Sequence, residues 1–440
     1  MRNYSRNRNI FFLLVAFILL FAVLLYFQIN AGFDKNLRLF EGDEQNFDLK
    51  FPLNLYIRAD KEGILNLNGN PINCDEYNRL AFQKGISLQG LSKGSVNLEL
   101  SLFKGLIPIR QLTVDVLPEM RLIPGGHSIG IKLHEKGVIV AGYFYLEKGK
   151  GFFSPAEESG VLIGDVVAAI NEQKIRDIDT AAEIIKTESG KGPLIFTVNR
   201  NGEVLKIKIT PYLCPNSHEK RIGLYIRDTA AGVGTLTFFD NEKKCYGALG
   251  HIITDIDTNK ALEINEGLIV RADIINVKIA ERGQPGEKAG IFRTGKDILG
   301  TINKNTNFGI YGRIRNIEKC ATPYPDAIPL GLAFQVETGP AEILTVIEGN
   351  TIQSFKIEIE KITNQNKPVD KGMIIRVVDE NLLRITGGII QGMSGSPIIQ
   401  NGRLVGAVTH VFVNDPTRGY GIYAEWMVKE MELISGFLKT

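Results

Sequence analysis

The chain has 440 residues, room for about three domains, and its 51 Lys and Arg against 49 Asp and Glu leave a net charge of +2, so no basic excess points to nucleic acid. A content of 44% hydrophobic and 23% charged residues argues against wholesale disorder. Four scattered cysteines (Cys74, Cys214, Cys245, Cys320) without a Cys-x-x-Cys pair are too few for a disulfide scaffold and speak against structural zinc. The 46 glycines, together with plentiful Val, Ile and Thr, predict a mainly β chain of many strands joined by tight turns, with some helix.

The first element is an apolar run from Ile10 to Phe27, 18 residues without a charge. At helical rise it spans ~27 Å, close to the hydrocarbon thickness of a bilayer. Arg2, Arg6 and Arg8 precede it and no acidic residue occurs before Asp34. The positive-inside rule therefore predicts one transmembrane helix, with the tip in the cytoplasm and the remainder exported. Ile29-Asn30-Ala31 is a poor version of a small-x-small cleavage signal, so residues 1–30 read as a retained anchor, with release by cleavage as the other possibility. Residues 31–118 alternate apolar and polar positions in short bursts, as in Leu53-Asn54-Leu55-Tyr56-Ile57, and predict a small antiparallel β domain that carries no chemistry.

Residues 119–212 combine a glycine-rich loop, Pro124-Gly125-Gly126-His127-Ser128-Ile129-Gly130-Ile131, with a short helix that Ser154 can cap ahead of Pro155. Gly160 ends that helix, Gly164-Asp165 makes a tight turn, a longer helix is expected over 178–187, and a hairpin turns at Asn201-Gly202. The series resembles a PDZ domain of the bacterial protease type. That resemblance implies that the backbone of Ser128, Ile129, Gly130 and Ile131 receives the carboxylate of a peptide C-terminus, while the peptide adds a strand to the sheet edge.

Candidate chemistry is concentrated in 213–440. His251 follows Gly250 at the end of a strand-like stretch, where an imidazole can reach a cleft. Ser394 lies in Gly392-Met393-Ser394-Gly395-Ser396-Pro397, ahead of a hairpin with Asn401-Gly402 at its tip. A serine between glycines can occupy a strained turn, and the N–H groups of Gly392 and Ser394 can converge as an oxyanion hole. Ser396 is an alternative nucleophile, and His410 belongs to the strand after the hairpin. A metal site built on His251, Asp255 and Asp257 lacks further nitrogen or sulfur ligands, and a Cys245–His251 thiol site lacks a glycine framework. Neither a metal nor a cofactor is expected.

The nucleophile loop looks like that of chymotrypsin-type serine proteases. Together with Gly250-His251-Ile252-Ile253-Thr254-Asp255, the PDZ-like unit and the single anchor, it resembles the stage IV sporulation protein B peptidases of endospore-forming bacteria. The resemblance implies a chymotrypsin-like β-barrel serine endopeptidase, self-cleaving, in the space between forespore and mother cell. It also implies a substrate, a regulatory membrane protein that restrains an intramembrane metalloprotease, whose release leads to processing of the mother-cell sigma factor precursor. By position the family's histidine falls on His251, its serine on Ser394 and its acid on Asp379, with Asp255 and Asp257 as rivals for the acid. The reading from a different class is a tethered PDZ scaffold that has lost catalysis and only docks a partner.

Overall fold

The computed structural model describes residues 36–47, 54–80, 85–134, 137–149, 151–175, 178–200, 202–215, 217–227, 231–254, 261–262, 266–291, 297–315, 322–363 and 368–435. The apolar run 10–27 lies outside them; among the described residues no helix is long and apolar enough to cross a membrane. The chain divides into two compact units, up to Met120 and from Arg121 onward.

The N-terminal unit holds two sheets. One has five strands in the order Asn36–Phe40, Ile107–Leu117, Gly94–Leu102, Leu55–Ala59, Asn78–Leu80; the other joins four short strands around Ile86–Gly90. The period-2 alternation is realised directly: Val96, Leu98 and Leu100 are buried on one strand, and Leu112, Val114 and Val116 on its partner. The first strand runs parallel to Ile107–Leu117, with Asn36 opposite Thr113 and Phe40 opposite Leu117.

The second unit contains two barrels and an inserted α+β module. The C-terminal barrel is closed by six antiparallel strands in the order Gly339–Val346, Ile352–Ile362, Met373–Val377, Asp415–Tyr423, Arg403–Phe412, Pro397–Gln400. The first barrel strings Ile298–Ile302, Glu266–Arg271, Ser128–His134, Ala231–Asp240, Cys245–Ala248 and Gly309–Arg313 side by side. A bridge between Gly300 and Ile314, and the Arg315 N–H donated to Leu299 O (2.7 Å), bring its two ends together. Ile129, Leu236, Tyr246, Ile269 and Ile310 fill its interior. At about 1.5–3 kcal/mol for each fully buried large apolar side chain, such layers hold both barrels.

The inserted module follows the first strand of that barrel and precedes the second. Its sheet is built from Val138–Tyr143, Val166–Ile170, Gln173–Lys174, Leu194–Arg200, Glu203–Ile209 and Leu224–Arg227. The helix Pro155–Glu158 is capped by Ser154, whose Oγ accepts from Glu157 N–H. Gly160 follows at φ +89°, and the longer helix runs from Ile178 to Glu188.

Candidate active site

The histidine side of the site begins where the strand Cys245–Ala248 breaks. Gly250 N–H donates to Ala248 O (2.9 Å), closing a γ-type turn across Leu249 at φ +69°. Left-handed backbone costs a residue with a Cβ roughly 1–2 kcal/mol. Here the cost is met by burial of the Leu249 side chain in the barrel core and by its N–H donating to Thr235 O (3.2 Å). The turn delivers His251, whose Nδ1 lies 2.8 Å from Ile252 O. A carbonyl only accepts, so Nδ1 carries the proton and Nε2 keeps the lone pair that a general base needs. Burial pulls the imidazole below its ordinary pKa of 6.5, while the Ile252 carbonyl and the charge of Asp370 pull it back up.

The serine side is a clamped loop. Thr235 donates its N–H to Ser394 O (2.9 Å) and its Oγ1 to Gly392 O (2.7 Å). Gly395, at φ +93°, has no room for a Cβ, which would overlap the Thr235 carbonyl oxygen. Within the loop Met393 N–H donates to Ile390 O, Ser396 N–H to Met393 O and Gly395 N–H to Val408 O (2.8 Å). Among the described residues no acceptor takes the N–H of Gly392 or of Ser394. Those two are the pair expected from sequence as oxyanion donors. Ser394 is part-exposed and its Oγ donates to Thr409 O (2.7 Å), whereas Ser396 is fully buried and closed to a substrate.

Both sides open onto one cleft of about 900 Å³, lined by His251, Ser394, Gly392, Thr409, His410 and Asp370 among others. The rings of His251 and His410 lie 5.0 Å apart, tilted by 40°. Asp370 is the single carboxylate among the described residues that line it. Asp379 is placed elsewhere, which corrects the expectation for the acid. It caps the helix Glu380–Thr386, and its oxygens accept from the N–H groups of Asn381 (3.1 Å), Leu382 (3.0 Å) and Lys356 (3.2 Å). A carboxylate that accepts from two N–H groups of the first helical turn is a helix N-cap, and the Lys356 N–H holds its other oxygen. Asp255 and Asp257 lie outside the described residues.

Beneath the loop lies a residue that the sequence does not single out. The Lys288 side chain runs past Gly392, so closely that a Cβ added to that glycine would stand 3.1 Å from it, and its Nζ donates to Thr345 Oγ1 (2.7 Å). Full burial lowers its pKa from 10.5 to about 7.

The peptide-binding expectation also moves. Ser128, Ile129, Gly130 and Ile131 form part of a barrel strand paired on both edges, with Ala231–Asp240 and with Glu266–Arg271. With both edges already paired, the strand offers no free edge for a peptide to join. The module's sheet ends in Glu203–Ile209 on one side and Leu224–Arg227 on the other, and among the described residues the latter pairs only with Val138–Tyr143. Beside it runs the helix Ile178–Glu188, and a groove of about 830 Å³ lies between them. Ile178, Ala182 and Ile185 line it from one helix face, Leu224 and Ile226 from the strand, with Lys186 and Arg221 also in its wall.

Residues 218–428 match the family described as SpoIVB peptidase S55, and residues 153–200 match the PDZ domain family. This region is a SpoIVB-type S55 peptidase domain. A serine peptidase region of this family thus stands beside a PDZ match, and the latter falls on the inserted module. A stretch of 67 residues is 37% identical to a Thermotoga maritima protein whose name describes a zinc metalloprotease, covering 15% of this chain and 13% of that protein. Thus the chain spans about an eighth of that relative's length. The solved Rv3671c protease of M. tuberculosis is similar in its active form (15% identity, 47% of this chain and 75% of that one, TM-score 0.27) and its inactive form (14%, 46% and 84%, TM-score 0.25).

Proposed function

We propose that the S55 domain cleaves peptide bonds by nucleophilic attack of Ser394, with His251 as general base and Asp370 as the carboxylate that stabilises the imidazolium. The observation that carries this assignment is the convergence of Ser394, His251 and Asp370, the one lining carboxylate among the described residues, on a single cleft beside two loop N–H groups that no described acceptor takes. Attack requires the Ser394 hydroxyl to leave Thr409 O and turn to Nε2 of His251, a rotation about χ1. The proton then passes to His251 and on to the leaving amine, while the N–H groups of Gly392 and Ser394 hold the oxyanion.

The sequence supports a finer reading. The apolar run 10–27 behind three arginines anchors the chain in a membrane with its catalytic part exported, and the likeness to the stage IV sporulation protein B peptidases adds self-cleavage. The PDZ module receives a peptide C-terminus as a strand added to Leu224–Arg227, its carboxylate near Arg221. By its likeness to the stage IV sporulation protein B peptidases, its substrate is a regulatory membrane protein in the space between forespore and mother cell. Cleavage frees an intramembrane metalloprotease to process the mother-cell sigma factor precursor.

The deciding experiment treats the full chain and its Ser394→Ala variant with a fluorophosphonate and, in parallel, with casein. Labelling and cleavage confined to the native chain support the assignment; equal cleavage by both overturns it.

A further inference from the structure

The N-terminal unit contains a feature that catalysis leaves unexplained. The hairpin Gly94–Leu102/Ile107–Leu117 closes, with Leu102 opposite Ile107, in a turn that exposes three large apolar side chains: Phe103 (57%), Leu106 (79%) and Ile107 (50%). Lys104 is exposed beside them. The turn is shaped rather than loose. Phe103, Lys104 and Gly105 all have positive φ (52°, 56° and 94°), an arrangement that costs the two non-glycine residues local strain. The space a Cβ on Gly105 would need is taken by the Tyr77 ring, which in turn lies 5.0 Å beneath the Arg58 guanidinium.

The register says which way this turn points. Because Asn36–Phe40 runs parallel to Ile107–Leu117 and starts opposite Thr113, the chain reaches Asn36 from the end of the sheet where the turn stands. Residues 107–112 carry the turn about 20 Å beyond Asn36 in that direction. Eight residues lie between the apolar run 10–27 and Asn36, a connection that spans at most ~28 Å. The exposed apolar tip thus stands at the end of the sheet where the strand Asn36–Phe40 begins, and the apolar sequence 10–27 lies within chain reach of it. A soluble face would have little use for three bulky apolar groups beside a lysine, whereas this is the composition that seats in a headgroup layer.

We propose that the turn 103–107 inserts into the interfacial layer of the membrane that holds residues 10–27, with Phe103, Leu106 and Ile107 among acyl chains and Lys104 on anionic headgroups. The proposal rests on the anchor reading given above. It gives the N-terminal unit a second point of attachment to lipid, beside the anchor itself.

The test uses the full chain reconstituted into phosphatidylethanolamine–phosphatidylglycerol vesicles, with Leu106→Trp as reporter. Val204→Trp, exposed on the PDZ module, serves as control, and the parent chain with its native Trp426 supplies the background. Co-flotation with vesicles together with several-fold stronger quenching of the Leu106→Trp signal than of the control by brominated acyl chains supports the proposal. Co-flotation with equal quenching at both positions overturns the tip contact and leaves the anchor standing. A blue-shifted Leu106→Trp emission that brominated lipid does not quench assigns the tip to another copy of the chain and overturns it equally. Failure to float overturns the anchor reading and this proposal together.

Discussion

The rings of His251 and His410 face each other at 5.0 Å, and the charge of Asp370 acts on both. Burial lowers both imidazoles, and the neighbourhood of His251 lowers His410 further, so the pair resists taking up two protons. Asp370 works in the opposite sense, favouring the protonated ring.

This sets the pH dependence. His251 must be neutral to act as a base, so kcat/KM rises through its pKa, which lies below the ordinary 6.5. Removing the negative charge with Asp370→Asn lowers that pKa further. The acid limb of the profile should then move to lower pH, while the plateau falls by roughly 10²-fold or more because the imidazolium formed in the transition state loses its counter-charge. Steady-state cleavage across pH 5 to 8 checks both effects at once; an unmoved acid limb would refute the role given to Asp370.

Asp379 should respond differently. Asp379→Ala removes a cap from Glu380–Thr386 and should cost about 0.5–2 kcal/mol of stability. Cleavage by the folded fraction should stay within a few-fold of the native rate, as read from urea melts and initial rates on the same preparation. The helix signature is present in the sequence as Asp379-Glu380-Asn381-Leu382-Leu383 followed by Gly387, a capped apolar run, and in the folded chain this local role prevails over the family correspondence.

Other local signals are legible for the same reason: their causes lie within a few residues. Ser154 before Pro155 produces the expected cap, and Asn401-Gly402, at φ +51° and +71°, turns the hairpin after the serine loop. The strand Ser128–His134 cannot be read this way. Its glycine pattern suits a carboxylate loop, and only partners about 100 or more residues downstream place it inside a barrel. Asp370 is silent in the sequence because nothing near it marks it; its significance comes from the cleft that folding forms around it.

Lys288 gives a prediction about stability. Its folded pKa of about 7 lies below the ordinary 10.5, so between those values the unfolded chain binds the additional proton. Stability of the native chain relative to Lys288→Met should therefore increase from pH 7 toward pH 10, by at most about 1.4 kcal/mol per pH unit. Urea titrations of both chains at pH 7 and 9 measure the difference, and a difference that does not change with pH would show that the amine is not buried as described.

The groove of the PDZ module can be tested apart from catalysis. Ala182 lies exposed on its helical wall, so Ala182→Glu leaves the fold intact and sets a negative charge where a peptide carboxylate would approach. Binding of C-terminal peptides should weaken by about tenfold or more, roughly 1.4 kcal/mol, with fluorophosphonate labelling of Ser394 unchanged. Fluorescence anisotropy with a labelled peptide reads the first quantity and gel densitometry the second.

The insertion of the PDZ module between two neighbouring antiparallel strands has a topological result. Val138 leaves and Arg227 returns at adjoining strand ends, Ser128–His134 and Ala231–Asp240, so the whole module occupies the place of a hairpin bend. The barrel's wiring is complete without it: exchanging one block for a short bend would leave every barrel strand its neighbours, and a module of another specificity could be spliced into the same seam.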